Sequence, residues 1–251
     1  MKKKISLSLV IIFLMQLNIF SSEKIVMAIG DWEPFTSSRD KNAKIAEKVV
    51  TEAFKIVGID IEYEYFPWKR CHLITKKGKI VGTFPWIKTD ERVKDFYVSE
   101  DYIIKDRTVF FHLRENNFRW DSFKDLEKYK VGATDGYSVT KTLEDNSVLL
   151  DIAPKEDLNY KKLLTKRIDI YPTAFYVGYY QLNMLYEPSK AKLFTNHPKS
   201  IGEDTYHMLI SKKFPNGKEL MDKFEKGLKE LKESGKYEKI IEVIMKNNGS
   251  K

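Results

Sequence analysis

The stretch Gly82-Thr83-Phe84-Pro85-Trp86-Ile87-Lys88-Thr89-Asp90-Glu91-Arg92, running on through Phe96 to Ser99, is the one from which the fold can be read. It follows a short apolar strand candidate, Ile80-Val81, and leads into the start of a helix. Thr89 or Asp90 suits an N-cap, because a side-chain oxygen there accepts a backbone N–H that the helix leaves unpaired. Arg92 then falls in the first turn of a helix just past a strand end. Ligands of open α/β sheets sit in the crevice beyond the carboxyl ends of the strands. A cation is poorly placed at the positive end of a helix dipole. Arg92 therefore reads either as a bidentate grip on a ligand carboxylate or as a surface arginine paired with Glu91 or Asp95.

Strand and helix candidates alternate on both sides of this stretch. Ile25 to Ile29 is a continuous apolar run ended by Gly30, as expected of a strand buried on both faces, and the loop Asp31-Trp32-Glu33-Pro34-Phe35 follows it. Ile45, Val49, Val50, Phe54 and Val57 recur at helical spacing, with Gly58 as a left-handed stop. Ile59, Ile61, Tyr63 and Tyr65 alternate with acids, as in a half-buried strand. Phe66-Pro67-Trp68-Lys69-Arg70 lies past its end, where Trp68 fits an apolar wall or a core aromatic, and Arg70 an anion contact or a solvent-facing charge. Such alternation predicts a parallel α/β unit. A connector at Ser99–Lys105 leads to a second unit that starts with a strand at Thr108–Leu113.

In that second unit Lys130–Ala133 is a strand, and Thr134-Asp135-Gly136-Tyr137-Ser138 leads from it into a helix. Glycine permits close backbone approach, and helix N-terminal N–H groups bind anions without a charged side chain, although a plain turn also fits. Strands follow at Val148–Ile152, Arg167–Tyr171 and Lys192–Thr195, with a helix at Val177–Leu185. Ser200–Thr205 reads as a second connector and Tyr206–Ile210 as a strand returning to the first unit. Helical stripes from Leu220 to Leu231 and from Tyr237 to Ile244 end the chain.

Composition narrows the function classes. Hydrophobic residues make up 42% of the 251, which is globular rather than disordered. The single cysteine, Cys71, rules out an intrachain disulfide, and the four histidines (72, 112, 197 and 207) lack metal-ligand spacing, so no metal or cofactor is expected. The net charge of +8 falls to +5 without Lys2, Lys3 and Lys4, and the lysines alternate with glutamates as on a solvated face, so a nucleic-acid partner is not expected. Met1 to Ser22 has the basic start, apolar run and small-residue end of a secretory signal peptide, cleaved near Ser21 or Ser22 to release a periplasmic protein. No later segment is apolar enough to span a membrane.

Thr-Asp-Glu-Arg at 89–92, with Asp95-Phe96 and Ser99-Glu100-Asp101-Tyr102, resembles the T-x-E-R…F-S-x-x-Y signature of the family 3 periplasmic solute-binding proteins, the polar-amino-acid receptors of ABC importers. The run Asp125-Leu126…Val131-Gly132, the strand around Arg167-Ile168-Asp169 and the ending around Gly235 and Ile240 match that family in order. The resemblance implies the α/β, two-lobed type II periplasmic-binding-protein fold, with two parallel-sheet lobes joined by crossovers near Tyr102–Lys105 and Ile201–Thr205. Residues 23–104 and 203–251 would form lobe 1, residues 105–202 lobe 2, and residues 1–22 the removed signal peptide.

By the same resemblance Arg92 grips a ligand carboxylate, and backbone N–H groups around Ser138, with Thr134 and Tyr137 beside it, meet the same group. From their places after strand ends, Trp32, Trp68 and Trp86 would wall the site, with Arg70 a candidate second anion contact. Where the family places an acid for the ligand's α-ammonium, this chain has Thr173, Ala174 and Phe175. The ligand then lacks that group, or Glu33 supplies the charge. The expected partners are a small anionic or zwitterionic solute and an inner-membrane ABC permease, with the receptor monomeric and not an enzyme. The alternatives are a cyclohexadienyl-dehydratase-like enzyme with Glu33 as general acid, and a ligand-sensing partner of a membrane receptor.

Overall fold

The computed structural model describes residues 23–249, so the signal-peptide reading of residues 1–22 lies outside the described residues. The chain opens with β1 (Glu23–Ile29), α1 (Ile45–Ile56), β2 (Ile59–Tyr65), α2 (Trp68–Lys76) and β3 (Gly82–Ile87). β1 pairs in parallel with β2 on one side, Ile25 opposite Ile61, and with β3 on the other, Met27 opposite Gly82. α1 forms where the 3.6-residue period predicts it, and Gly58, at φ +76°, ends the turn after it in the left-handed region. Next come α3 (Asp90–Asp95), β4 (Phe96–Val98) and β5 (Ile104–Leu113), with Thr89 as the N-cap of α3, its Oγ1 accepting from Arg92 N at 3.3 Å.

A 3-10 turn (Phe123–Lys128) leads to β6 (Val131–Thr134), α4 (Ser138–Asp145), β7 (Leu150–Ala153), α5 (Glu156–Leu164), β8 (Tyr171–Ala174), α6 (Phe175–Leu185) and α7 (Pro188–Ala191). The chain closes with β9 (Phe194–Ser211), α8 (Gly217–Glu233) and α9 (Lys236–Gly249). Seven strands make one mixed sheet in the order β2-β1-β3-β9-β5-β8, with β4 also on β9, while β6 and β7 form a small parallel sheet of their own.

The sheet corrects three expectations. β9 is a single 18-residue strand, where the sequence suggested a short strand, a connector and a second strand. It runs antiparallel to β5 from Ile104 opposite Tyr206 to Leu113 opposite Phe194. The connector expected at Ser200–Thr205 is thus ladder throughout, because apolar alternation reports burial rather than pairing, whereas of Ser99–Lys105 only Ile104 and Lys105 belong to a strand. Gly202, Glu203 and Asp204 break the apolar pattern, yet Asp204 Oδ2 accepts from Thr108 Oγ1 at 2.8 Å and Lys105 Nζ pairs with Glu203 at 2.5 Å across the strands.

The strand expected at Ile80-Val81 lies instead over Gly82–Ile87, and its register against β9 shifts between Thr83 and Trp86, where Pro85 supplies no N–H. The strand expected at Arg167–Tyr171 starts only at Tyr171. Ile168 and Ile170 are buried as core, and Ile170 makes only a single bridge, to Val131.

Among the described residues, three apolar clusters form the core. The largest joins residues near both ends of the described chain, with Met27, Val49, Phe54, Phe84, Met208, Phe224 and Leu228 fully buried. The other two share β5: Phe111 faces Tyr160, Tyr171 and Phe194, while its neighbour Phe110 faces Phe118, Trp120 and Val131. Successive strand side chains point to opposite faces, so a Val-Phe-Phe run at 109–111 is what a strand covered on both sides requires. Among the described residues no helix is long and apolar enough to cross a membrane.

Candidate functional site

A cleft of ≈ 1120 Å³ opens beyond the carboxyl ends of β1, β2, β6 and β7. Trp32, Glu33, Phe66 and Trp68 line one wall, and Thr134, Tyr137, Glu156, Tyr180 and Gln181 the other. This is where an α/β sheet leaves strand-end loops and helix N-termini exposed together. The Tyr180 hydroxyl donates to Asp40 Oδ2 at 2.8 Å, tying α6 to the loop before α1.

The indoles are braced from behind. Trp32 packs on Phe35 and Tyr206 at centroid distances of 4.9 and 4.8 Å. Trp68 donates from Nε1 to Asp31 O at 3.3 Å and meets Trp86 edge-on at 5.3 Å. It lies directly over Gly30, where an added Cβ would stand 2.6 Å from the indole. Gly30→Ala should push this ring off the wall while sparing the core, lowering affinity for a bound solute by roughly tenfold, about the value of one well-made aromatic contact. Titration by intrinsic tryptophan fluorescence checks it, and unchanged affinity would show that Trp68 does not touch the solute.

Five of the residues expected at the site line this cleft: Trp32, Glu33, Trp68, Thr134 and Tyr137. The other five do not. Arg70 is exposed, its guanidinium 4.4 Å over the Phe66 ring. Trp86 stands behind Trp68 and donates to Thr83 Oγ1 at 2.9 Å. Arg92 is partly buried, its guanidinium 4.7 Å over the Trp86 ring and Nη1 donating to Ile87 O. Burial holds its pKa below the ordinary guanidinium value. Ser138 is the exposed first residue of α4, and Thr173 is buried beside Glu156.

Sequence reasoning missed Arg39, Tyr65, Lys155, Glu156, Tyr180 and Gln181 at the cleft. Glu156 opens α5 just past β7, and position after a strand end was its only signal. Tyr180 and Gln181 sit mid-helix in an aromatic-rich run that reads equally well as core.

The lining charge opposes that of the whole chain. Asp31, Glu33, Asp135, Glu156 and Asp157 stand against Arg39 and Lys155, whereas the full sequence carries +8. Glu33 Oε1 accepts from Ser37 Oγ at 2.6 Å and lies 3.7 Å from Arg39 Nη2. Burial pushes the Glu156 carboxyl above the usual carboxylate range, against the neighbouring Tyr137, Gln181 and Thr173, which pull it down. Among the described residues no group of three or more His, Cys, Asp or Glu is placed to share a metal ion.

The sequence profile of the bacterial extracellular solute-binding proteins, family 3, matches residues 25–246. The chain belongs to that family. No curated protein matches it. Among solved structures, this family 3 protein is similar to a histidine kinase sensor domain that itself resembles periplasmic binding proteins, at TM-score 0.73 and 17% identity over 87% of this chain and 95% of the other. It is similar to an amino acid ABC transporter substrate-binding protein from Streptococcus pneumoniae bound to L-arginine, at TM-score 0.69 and 23% identity, covering 93% and 99% of the two chains. An ancestral amino-acid-binding precursor of cyclohexadienyl dehydratase matches at TM-score 0.69 and 19% identity, covering 86% and 94%. These TM-scores show the type II periplasmic-binding-protein fold, and the family match makes the chain a family 3 solute-binding protein.

Proposed function

We propose that this family 3 protein captures a small amino-acid-like metabolite in the cleft and delivers it to an ABC importer. The observation that carries the reading is a cleft walled by indoles from one side and by a half-buried polar cluster from the other. Residues 23–104 with 203–251 and residues 105–202 act as two bodies hinged on the β5–β9 ribbon. A solute that touches both walls stabilises the closed state by its differential affinity for it.

Arg92 acts on this cleft through Trp86 and Trp68 in the conformation described, so a direct grip on the solute's carboxylate requires the guanidinium to leave Ile87 O. Native mass spectrometry of the protein purified from its own host, followed by thermal-shift titration of the solute found, tests the assignment. A co-purified amino acid or close analogue whose stabilisation disappears in Trp68→Ala is the expected result. A protein that carries no solute and is shifted by none of the twenty amino acids would overturn it.

A further inference from the structure

We propose that Asp40 and Tyr180 form a latch across the cleft, which holds its two walls together and slows release of the solute without choosing between solutes. The inference rests on the receptor reading above for what the cleft holds, while the latch itself is open to test with no solute present.

Each partner is fixed by its own wall. On one side the loop between β1 and α1 is tied to itself and to α1. Thr36 Oγ1 donates to Gly30 O at 2.7 Å, Ser37 N to Glu47 Oε1 at 2.9 Å, and Asp40 N to Ser37 Oγ at 2.9 Å. The Asp40 carboxylate accepts from Asn42 N at 2.8 Å through Oδ1, and Oδ2 turns to the other wall. On that wall α6 is clamped to the β5–β9 ribbon. Tyr176 N donates to Asp106 Oδ2, and the Tyr179 hydroxyl donates to Asn196 Oδ1 at 2.7 Å. Gly178 lies so close to Phe111 that an added Cβ would stand 2.3 Å from its ring. Val177, Gly178 and Leu182 are buried, so the helical period turns Tyr180, Gln181, Met184 and Leu185 to the cleft.

The Tyr180 hydroxyl therefore reaches Asp40 from a rigid support, across 140 positions of sequence. The Asn42 N–H and the Tyr180 hydroxyl hold the Asp40 carboxyl below the usual carboxylate range. Burial, with Asp40 beside it, pushes the Tyr180 phenol above its ordinary value. Near neutral pH the phenol donates and the carboxylate accepts, a charge-assisted bond stronger than one between neutral groups. It exists only while the loop and α6 face one another. A contact made in the closed conformer and lost in the open one shifts the balance between them by its own free energy. Arg39 lines the cleft but Asp40 does not, so Asp40 acts on the solute only through the position of the walls.

Pulsed electron–electron distance measurement tests the latch without solute. The nitroxides are carried by Lys69→Cys and Lys141→Cys, exposed positions on α2 and α4 beside opposite walls, with the buried Cys71 replaced by alanine. Tyr180→Phe removes one hydroxyl and keeps the ring. It should lengthen the distances and lower the closed-to-open ratio by about tenfold, the value of one charge-assisted hydrogen bond. Asp40→Ser keeps an acceptor for Asn42 N but is too short to reach α6, and it should do the same. The double variant should go no further than either single one. Distributions that match the native one, or shifts that add, would overturn the latch. Should Asp40→Ser melt well below native, Tyr180→Phe alone decides by the same criterion. For each of the twenty amino acids that binds, stopped-flow release should be about tenfold faster in both variants, with relative affinities unchanged. Faster release in Tyr180→Phe but not in Asp40→Ser would make Tyr180 a solute contact and the latch wrong. If none of the twenty binds, the receptor reading fails while the distance measurement still decides the latch.

Discussion

Gly227→Ala should lower the melting temperature by about 6–12 °C, corresponding to a loss of about 3 kcal/mol for a chain of this size. Helix propensity alone predicts the opposite, since alanine in a helix interior is favoured over glycine by about 1 kcal/mol. Gly227 lies on the buried face of α8 against α1. An added Cβ would stand 1.9 Å from the Ala53 carbonyl oxygen and 2.8 Å from its carbon, both backbone atoms with no rotamer to escape into. The helices would have to separate by more than 1 Å, opening the contact of Phe54 with Phe224, whose rings are 5.1 Å apart and fully buried. Overpacking of this kind commonly costs about 1–3 kcal/mol and more when backbone must move. Gly202→Ala is the control, because nothing lies within 4 Å of the Cβ it would add, and it should leave the melting temperature nearly unchanged. If Gly227→Ala melts at or above the native temperature, α8 does not sit this close to α1.

A second large effect should appear as pH dependence of stability, centred on Asp106. This residue lies on β5 opposite Asp204 of β9 and is 4% exposed. Its Oδ1 accepts from Arg107 N at 2.7 Å and its Oδ2 from Tyr176 N at 3.2 Å, the latter in the first turn of α6. Burial pushes the carboxyl up from 3.8 to about 7, with Asp204 adding to the rise while the two backbone donors and Arg107 oppose it. Between those values the native state binds the proton and the unfolded chain does not, so stability is lost as pH rises from about 4 to about 7. The full span is worth up to ~4 kcal/mol.

Asp106→Asn removes the titration. Thermal unfolding should therefore show the native melting temperature falling faster than that of Asp106→Asn between pH 5 and pH 8, with the variant the more stable at pH 8. Parallel curves would mean that Asp106 stays ionised in the folded protein, held by its two N–H donors. The residue joins β5 to α6, which carries Tyr180 and Gln181 into the cleft.

How much of the site was legible follows from how each side chain reaches it. Trp32, Glu33 and Tyr137 lie in loops after strands, Thr134 ends β6 and Trp68 opens α2 just past β2, and in parallel α/β units the carboxyl ends of the strands line the ligand crevice. Chain order alone placed them. Glu156, Tyr180 and Gln181 arrive on helices, and which face of a helix meets a cleft depends on how it docks. Arg92 shows the reverse case: its motif was plain, yet Trp86 takes up the guanidinium face and Ile87 O one of its donors.

By itself the sequence determined the succession of strands and helices, the helix caps and stops, and the family. Each of these rests on interactions within a few residues or on the periodic burial of one face. Only the tertiary structure decided that β9 is one continuous strand, that the acids outnumber the bases at the cleft, and that Glu156 and Gln181 meet at the cleft wall. Those outcomes depend on partners from distant parts of the chain, where pairing and docking override what the local pattern of apolar and polar residues can express.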